Sequence, residues 1–286
     1  MSDAIKSLEL FEGGLEEKSL QAYFNRVGYG GEREPTLEVL QQLHYLHPQA
    51  IPFENIHSFL GLPVALGLPE LVQKLVLEGR GGYCFEQNLL FGQVLRTMGF
   101  LVKGLSARVF WEVPEGEIKP RDHMLLLVQV GGRKYIADVG FGGASFTAPL
   151  SLDDPDPQDT PIEQYRISKE ADFYYVEIWV KEEWRLMYRF GLEPQLLPDY
   201  EVVSWYLCTH PSSLFVKDLM VARCMPWGRY ALYNDRFTIH RKNEASQKRT
   251  ITNYQELKEL LEEIFLIQLP QHEKLPERLK KLISEE

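Results

Sequence analysis

Residues 84–98 limit the folds open to this chain more than any other stretch. Phe85, Leu89, Leu90, Phe91, Val94, Leu95 and Met98 recur at helical spacing and leave almost no polar face. A helix of that composition has to be covered on nearly every side. Gly99 marks its end. Just before and into it runs Arg80-Gly81-Gly82-Tyr83-Cys84-Phe85-Glu86-Gln87-Asn88. A preceding helix is predicted over 69–78, with Pro69 in its first turn and Gly79 at its stop. Gly81 and Gly82 are expected to follow a tight, left-handed path that side chains would block. Cys84 then falls in the first turn of the buried helix. There the unpaired N–H groups and the positive end of the helix dipole favour a thiolate. The same N–H groups can hold the oxyanion formed when the sulfur attacks a carbonyl. A plain buried structural cysteine is the competing reading.

The hydrophobic period divides the chain. Leu20, Tyr23, Phe24 and Val27 follow helical spacing up to Gly28. Thr36 caps a second helix, with Leu37, Leu40, Leu43 and His44 on one face and Pro48 as its stop. Residues 1–16 read as a loose lead-in. Segment 1–99 is therefore expected to be a helical bundle carrying Cys84. After Phe100 the period shortens to about 2, with Ala107, Val109, Trp111 and Val113 alternating. Strands are predicted over 121–130, 133–139, 173–180 and 184–190, with a solvated loop over 153–159. Segment 100–196 thus reads as an antiparallel barrel or curled sheet. Segment 197–286 mixes short helices with strands near 220–225, 230–233 and 237–241, and Asn253 with Glu256 forms a capping-box helix start.

Composition narrows the partners. The chain of 286 residues carries a formal net charge of −10, which disfavours duplex nucleic acid or an anionic membrane surface as a partner. The three cysteines, Cys84, Cys208 and Cys224, form no disulfide framework, and the polar start suggests no leader or membrane span. A reducing cytoplasm is the expected compartment. Neither a CxxC pair nor HExxH occurs, so no metal site is expected. Cys208 and Cys224 lack a helix-start or histidine context and read as structural.

A two-residue turn at Gly131-Gly132 pairs Val130 with Arg133, and hence Leu125 with Asp138. His123 and Leu125 share a face, so His123 and Asp138 become diagonal neighbours across the hairpin. A one-residue change in the turn would reverse those faces. Each residue singly fits an ordinary core or strand-end role. Together with Cys84 they read as a nucleophile, a base and the carboxylate that orients the base.

These residues carry a resemblance. Arg80–Asn88, His123-Met-Leu-Leu-Leu-Val and Asp138-Val-Gly-Phe-Gly resemble the signature of the arylamine N-acetyltransferase family. So do Tyr23-Phe24-Asn25-Arg26, Ile51-Pro52-Phe53-Glu54-Asn55 and Thr209-His210-Pro211-Ser212-Ser213. The likeness runs from about residue 18 to 270 and is to the bacterial type, without the vertebrate insert. Asp122 departs from it, where members often carry a small residue. The resemblance implies an α+β fold of helical bundle (1–99), β-barrel (100–196) and α/β lid (197–286). It implies a cysteine-protease-like triad of Cys84, His123 and Asp138, acetyl-CoA as co-substrate, and a small aromatic amine or hydrazine as acceptor. Acetyl transfer would run in ping-pong fashion through an acetyl-cysteine thioester. Tyr206 and Ser212 match lid positions that touch CoA, and Phe141, beside the Asp138 motif, is the candidate acceptor wall. Phe110, Trp111 and Phe215 read as plain core. Glu54 and Arg80 are expected to form a buried pair behind the Cys84 loop. Three readings compete: a related enzyme using another acyl-CoA or closing an amide from a carrier-bound chain, a hydrolase with the same triad, and a non-catalytic binding protein.

Overall fold

The computed structural model describes residues 10, 11, 13–114 and 116–283. Of the expected lead-in, residues 1–9 and 12 lie outside the described residues, while Phe11 is buried. Its ring fills the space above Gly92, where an added Cβ would come within 2.3 Å. Helix α1 (Glu17–Val27) buries Leu20, Tyr23, Phe24 and Val27 and closes on Gly28. Helix α2 (Leu37–Ala50) is capped by the Thr36 hydroxyl, which accepts from the Val39 amide. It runs through Pro48 instead of stopping there. In the last turn the missing N–H forfeits one helical bond, and the Ile51 amide still closes onto the His47 carbonyl.

Strand β1 (Phe53–Glu54) and the single turn α3 (Ile56–Phe59) follow. The helix expected over 69–78 starts as α4 (Leu68–Leu71) and widens into a π turn at Val72–Leu77. Gly79 ends it at φ 66°. The central helix α5 (Cys84–Thr97) is buried from Cys84 through Leu95. Gly81 and Gly82 do not take a left-handed path; the loop needs them because backbone passes too close to the first and the Glu86 side chain too close to the second. A Cβ on Gly81 would sit 2.2 Å from the Pro52 carbonyl, and one on Gly82 would sit 2.7 Å from a Glu86 carboxylate oxygen.

The larger sheet comprises β2 (Leu101–Val109), β3 (His123–Val130), β4 (Arg133–Ala137), β5 (Leu150–Ser151), β6 (Gln158–Asp159), β7 (Gln164–Glu170), β8 (Phe173–Val180) and β9 (Glu183–Phe190). Its order is β5-β4-β3-β2-β9-β8-β7-β6. The sheet curls until its edges almost meet. Gln158 spans the gap, accepting from the Ser151 amide at 2.7 Å and donating to the Ser151 carbonyl at 2.9 Å. The segment expected to be loop over 153–159 thus ends in an edge strand. The β3–β4 hairpin has the predicted register, from Val130 opposite Arg133 to Leu126 opposite Ala137. Gly131 and Gly132 both have positive φ, as a tight primed turn requires. Strand β2 stops at Val109, short of Trp111 and Val113. The Phe110 and Trp111 amides converge on the Met187 carbonyl, and the chain turns away at Glu112.

Helices α6 (Leu197–Thr209) and α7 (Leu214–Lys217) precede β10 (Met220–Met225), β11 (Gly228–Tyr233), β12 (Arg236–Arg241) and β13 (Gln247–Thr250). Then come α8 (Tyr254–Glu259), which widens into a π turn at Leu260–Ile264, and α9 (Lys274–Lys280). The second sheet has the order β1-β10-β11-β12-β13, so its edge strand β1 comes from far earlier in the chain. The Asn253 side chain caps α8 as expected.

Strand β3 is apolar on both faces and covered on both. Met124, Leu126 and Val128 pack with α1, α2 and α5, while Leu125 faces the barrel interior with Leu105, Ile136 and Tyr188. The helix that begins with Cys84 and the strand that begins with His123 therefore share one core. Ile56, Phe59 and Leu60 pack instead with Val221, Phe237 and Leu261. Among the described residues no helix is long and apolar enough to cross a membrane.

Candidate active site

Cys84, His123 and Asp138 arrive from three places. Cys84 opens α5, His123 opens β3, and Asp138 lies one residue past β4. The fold brings them together in a buried cluster. His123 Nε2 lies 2.6 Å from Asp138 Oδ2. Nδ1 is then the ring nitrogen open to a second partner, and the Cys84 sulfur lies 3.8 Å from the carbonyl of Asp122, the residue before His123. Phe141 meets the imidazole edge-on at 5.1 Å between centroids, and Tyr188 lies against it at 5.2 Å.

Asp138 is held by four donors. Asn88 Nδ2 at 3.1 Å and the Gly140 amide at 3.0 Å reach Oδ1; His123 and the Tyr188 hydroxyl, at 3.1 Å, reach Oδ2. Burial pushes its carboxyl up, but the charge and hydrogen bond of His123, with Asn88 and Gly140, hold it below the usual carboxylate range. For His123 the opposition runs the other way. Burial disfavours the imidazolium, yet Asp138, with the sulfur adding to it, pushes the ring up to about 10. Both shifts favour an anionic carboxylate beside a protonated imidazole among buried side chains.

The loop before Cys84 is braced by buried charges. Arg80 clasps Glu54 through Nη2 at 2.6 Å and Nε at 3.2 Å, as expected, and the other Glu54 oxygen accepts from the Ile56 amide at 2.6 Å. Glu86 accepts from the Tyr83 amide at 3.1 Å and from Lys74 at 2.6 Å. Asn88, one turn past Cys84, donates also to the Met124 carbonyl at 2.8 Å and accepts from the Val139 amide at 3.2 Å. It ties α5 to β3 and to the Asp138 loop at once. Gly140 lets that loop reach α5, since an added Cβ would stand 2.7 Å from Cys84 Cα.

Other candidate residues fall as follows. Tyr206 and Ser212 meet at the exposed end of α6, hydroxyl to hydroxyl at 3.1 Å, with the His210 ring stacked on Tyr206 at 4.6 Å. Trp111 and Phe110 lie under Arg185 and Arg189 on the barrel. Phe215 packs against Tyr83 and Phe53. Cys208 and Cys224 are buried and unpaired; burial raises Cys224 to about 11. Asp122 is raised by burial, and one of its oxygens is buried without a partner among the described residues. Among those residues, no group of three His, Cys, Asp or Glu side chains is arranged to hold a metal ion.

Two parts of this site escaped sequence reasoning. Asn88 had a signal, an amide four residues from Cys84 and so on the same face of the helix. Tyr188 had none, because it reaches Asp138 from 50 residues away in a strand of ordinary composition.

The profile of an N-acetyltransferase family matches residues 36–274. The chain belongs to the arylamine N-acetyltransferase family. It is 41% identical over 226 residues to the Mycobacterium tuberculosis arylamine N-acetyltransferase, covering 78% of this chain and 80% of that one. It is 37% identical over 247 residues to the Escherichia coli enzyme of the same name, covering 86% and 88%. The solved M. tuberculosis structure matches with a TM-score of 0.87 at 37% identity, over 91% of this chain and 99% of that one. A Mycobacterium marinum arylamine N-acetyltransferase, solved in complex with CoA, matches at 0.88 and 35% identity, over 93% and 100%. The α+β fold of this family member is the one its sequence resemblance implied.

Proposed function

We propose that this enzyme moves the acetyl group of acetyl-CoA to the nitrogen of arylamines and arylhydrazines, by way of an acetyl thioester on Cys84. The observation that carries the reading is the 2.6 Å His123–Asp138 contact, with the Asp138 loop packed at Gly140 directly against the Cys84 backbone. Asp138 fixes the imidazole and supports its positive form. His123 holds the proton taken from Cys84, and the sulfur attacks the thioester carbonyl. When the tetrahedral intermediate collapses, the C–S bond to CoA breaks and His123 returns its proton to the departing CoA sulfur. The acceptor nitrogen then attacks the acetyl-cysteine. His123 takes the nitrogen's proton, and the Cys84 sulfur leaves as the C–N bond forms. A thioester is reactive enough for a weakly basic aromatic amine, and each half-reaction has a moderate barrier.

The CoA seen with the M. marinum relative supports a CoA thioester as donor. Tyr206 and Ser212, adjacent at the end of α6, are the proposed donor contacts. Phe141, edge-on to His123, is the proposed acceptor wall; its ring would stack with an arene presented to the sulfur. The net charge of −10 supports small-molecule partners over nucleic acid or a membrane, and the three unpaired cysteines support a cytoplasmic setting.

Mass spectrometry after acetyl-CoA is added tests the reading. An acetyl adduct should appear on Cys84 and disappear when an aromatic amine follows. Loss of the adduct to water at the same rate without amine would indicate a hydrolase instead. Charging by malonyl-CoA in preference to acetyl-CoA would indicate another acyl donor.

A further inference from the structure

Helix α2 carries two buried histidines one turn apart, and each bonds to a different half of the catalytic cluster. His44 Nε2 accepts from the Asp138 backbone amide at 3.0 Å. His47 Nε2 lies 2.7 Å from Gln87 Oε1, on the turn of α5 that begins with Cys84. We propose that His44 and His47 are positioning residues, a clamp by which α2 sets the carboxylate loop against the nucleophile helix; this rests on the catalytic assignment made above.

The hydrogen-bond directions settle which nitrogen of each ring carries its proton. Gln87 turns its amide nitrogen to the Pro52 carbonyl at 2.7 Å and the Gly82 carbonyl at 3.1 Å. Its oxygen therefore faces His47, whose Nε2 must donate. His47 Nδ1 is then the acceptor, and the Tyr23 hydroxyl at 2.8 Å is its donor. An unbroken relay thus runs from Tyr23 through His47 and Gln87 to the diglycine loop. His44 must hold the opposite tautomer, because its Nε2 accepts. Its proton sits on Nδ1, which is buried with no partner among the described residues.

That unpaired N–H makes the position informative. A buried donor without a partner is costly and rare. It persists because the same ring satisfies a donor that nothing else reaches. The Asp138 amide faces the β5 side of β4, where pairing ends with Ile136 opposite Leu150, so without His44 it would be an orphan inside the core. Burial keeps both rings neutral, lowering His44 to about 3 and His47 to about 4, so neither role is lost near neutral pH. Phe91 of α5 locks the two rings edge-on, at 5.8 Å from His44 and 5.3 Å from His47. Asn88 joins α5 to the Asp138 loop from one side. The two histidines brace the same junction from the other.

The test has two arms. In the unmodified enzyme, ¹⁵N chemical shifts of the imidazoles should show His44 protonated at Nδ1 and His47 at Nε2. An Nε2-protonated His44 cannot accept the Asp138 amide and would overturn the proposal. In the second arm, His44→Leu and His44→Gln are compared by the rate at which iodoacetamide alkylates Cys84 and by the burst of CoA released from acetyl-CoA. A shift of the carboxylate loop of about half an ångström is expected to slow both in the Leu variant by tenfold or more, with the KM for the amine unchanged. Gln, which keeps an acceptor, should restore them to within about threefold. Equal rates in the Leu variant and the parent, or equal losses in Leu and Gln, would sink the idea. The alkylation rate reads site geometry even if acetyl-CoA proved not to be the donor, so failure of the clamp and failure of the functional assignment are separable.

Discussion

Gly140→Ala is the most direct perturbation of the junction between α5 and the Asp138 loop. Gly140 does not have a positive φ, so its backbone is open to alanine, and only contact is at stake. The new methyl would lie 2.7 Å from Cys84 Cα, 2.9 Å from Asn88 Nδ2 and 3.1 Å from the Cys84 carbonyl. Ordinary Cβ contact begins near 3.4 Å, so the shortfall against backbone is about 0.7 Å. The Gly140 amide donates to Asp138 Oδ1 at 3.0 Å, so the loop cannot retreat without moving the carboxylate. A misplacement of 1 Å costs about 100-fold in rate. Acylation of Cys84 by acetyl-CoA is therefore expected to slow about 30- to 100-fold. Overpacking should cost about 1–3 kcal/mol of stability, or a few degrees in Tm per kcal/mol for a chain of this size. Gly143→Ala is the matched control. It too lacks a positive φ, nothing lies within 4 Å of its added Cβ, and it should behave as the parent. Stopped-flow detection of free CoA thiol gives the acylation rate, and thermal melts give stability. An unaltered burst in Gly140→Ala, or equal losses in both variants, would refute the claim that close approach at this glycine aligns the triad.

Protonation of the His123 ring should persist well above its ordinary range. Its folded value near 10 exceeds the unfolded 6.5, so its stabilising contribution is complete below about 6.5 and fades as pH rises through about 10. Asp138 is held low, so its contribution is complete above the usual carboxylate range and is lost as acid protonates it. Titration of the ring by ¹⁵N NMR should show this plateau, and Asp138→Asn should bring His123 well down from it, because burial would then be opposed only by the sulfur. A ring that titrates near 6.5 in the parent would contradict the pairing. Glu54→Gln leaves the buried Arg80 uncompensated and should cost about 3–5 kcal/mol in denaturant unfolding; an unchanged midpoint would remove Glu54 from the bracing of the loop.

The meeting of His123 and Asp138 was more legible in the sequence than the elements around it. Turn chemistry at Gly131-Gly132 fixed the hairpin register, and with it the meeting of His123 and Asp138, because a two-residue loop leaves one pairing that also buries both faces of β3. Local signals were weaker where tertiary contact overrode them. Pro48 looked like a helix stop but fell in a last turn where its missing bond cost little. The diglycine was read as a φ requirement, whereas the crowding comes from Pro52 and Glu86, which are invisible in local pattern. Trp111 and Val113 kept the strand period, yet the strand ended at Val109, before both. His44 was legible only as part of an apolar face. Its bond to Asp138 spans 94 residues and no short-range rule anticipates it.

The Gln158 bridge between β5 and β6 has a consequence of its own. A cylinder fastened along one line by side-chain bonds, Gln158 to Ser151 and Thr147 to Thr160, where every other line has a ladder, possesses a built-in zipper. Breathing should begin there, and amides near Ser151 and Gln158 should exchange with deuterium before those of β3. The segment between the two edges can also be lengthened or remodelled at small energetic cost, because no ladder has to be re-registered. The barrel can thus vary at that seam while the staves that hold His123 and Asp138 stay in place.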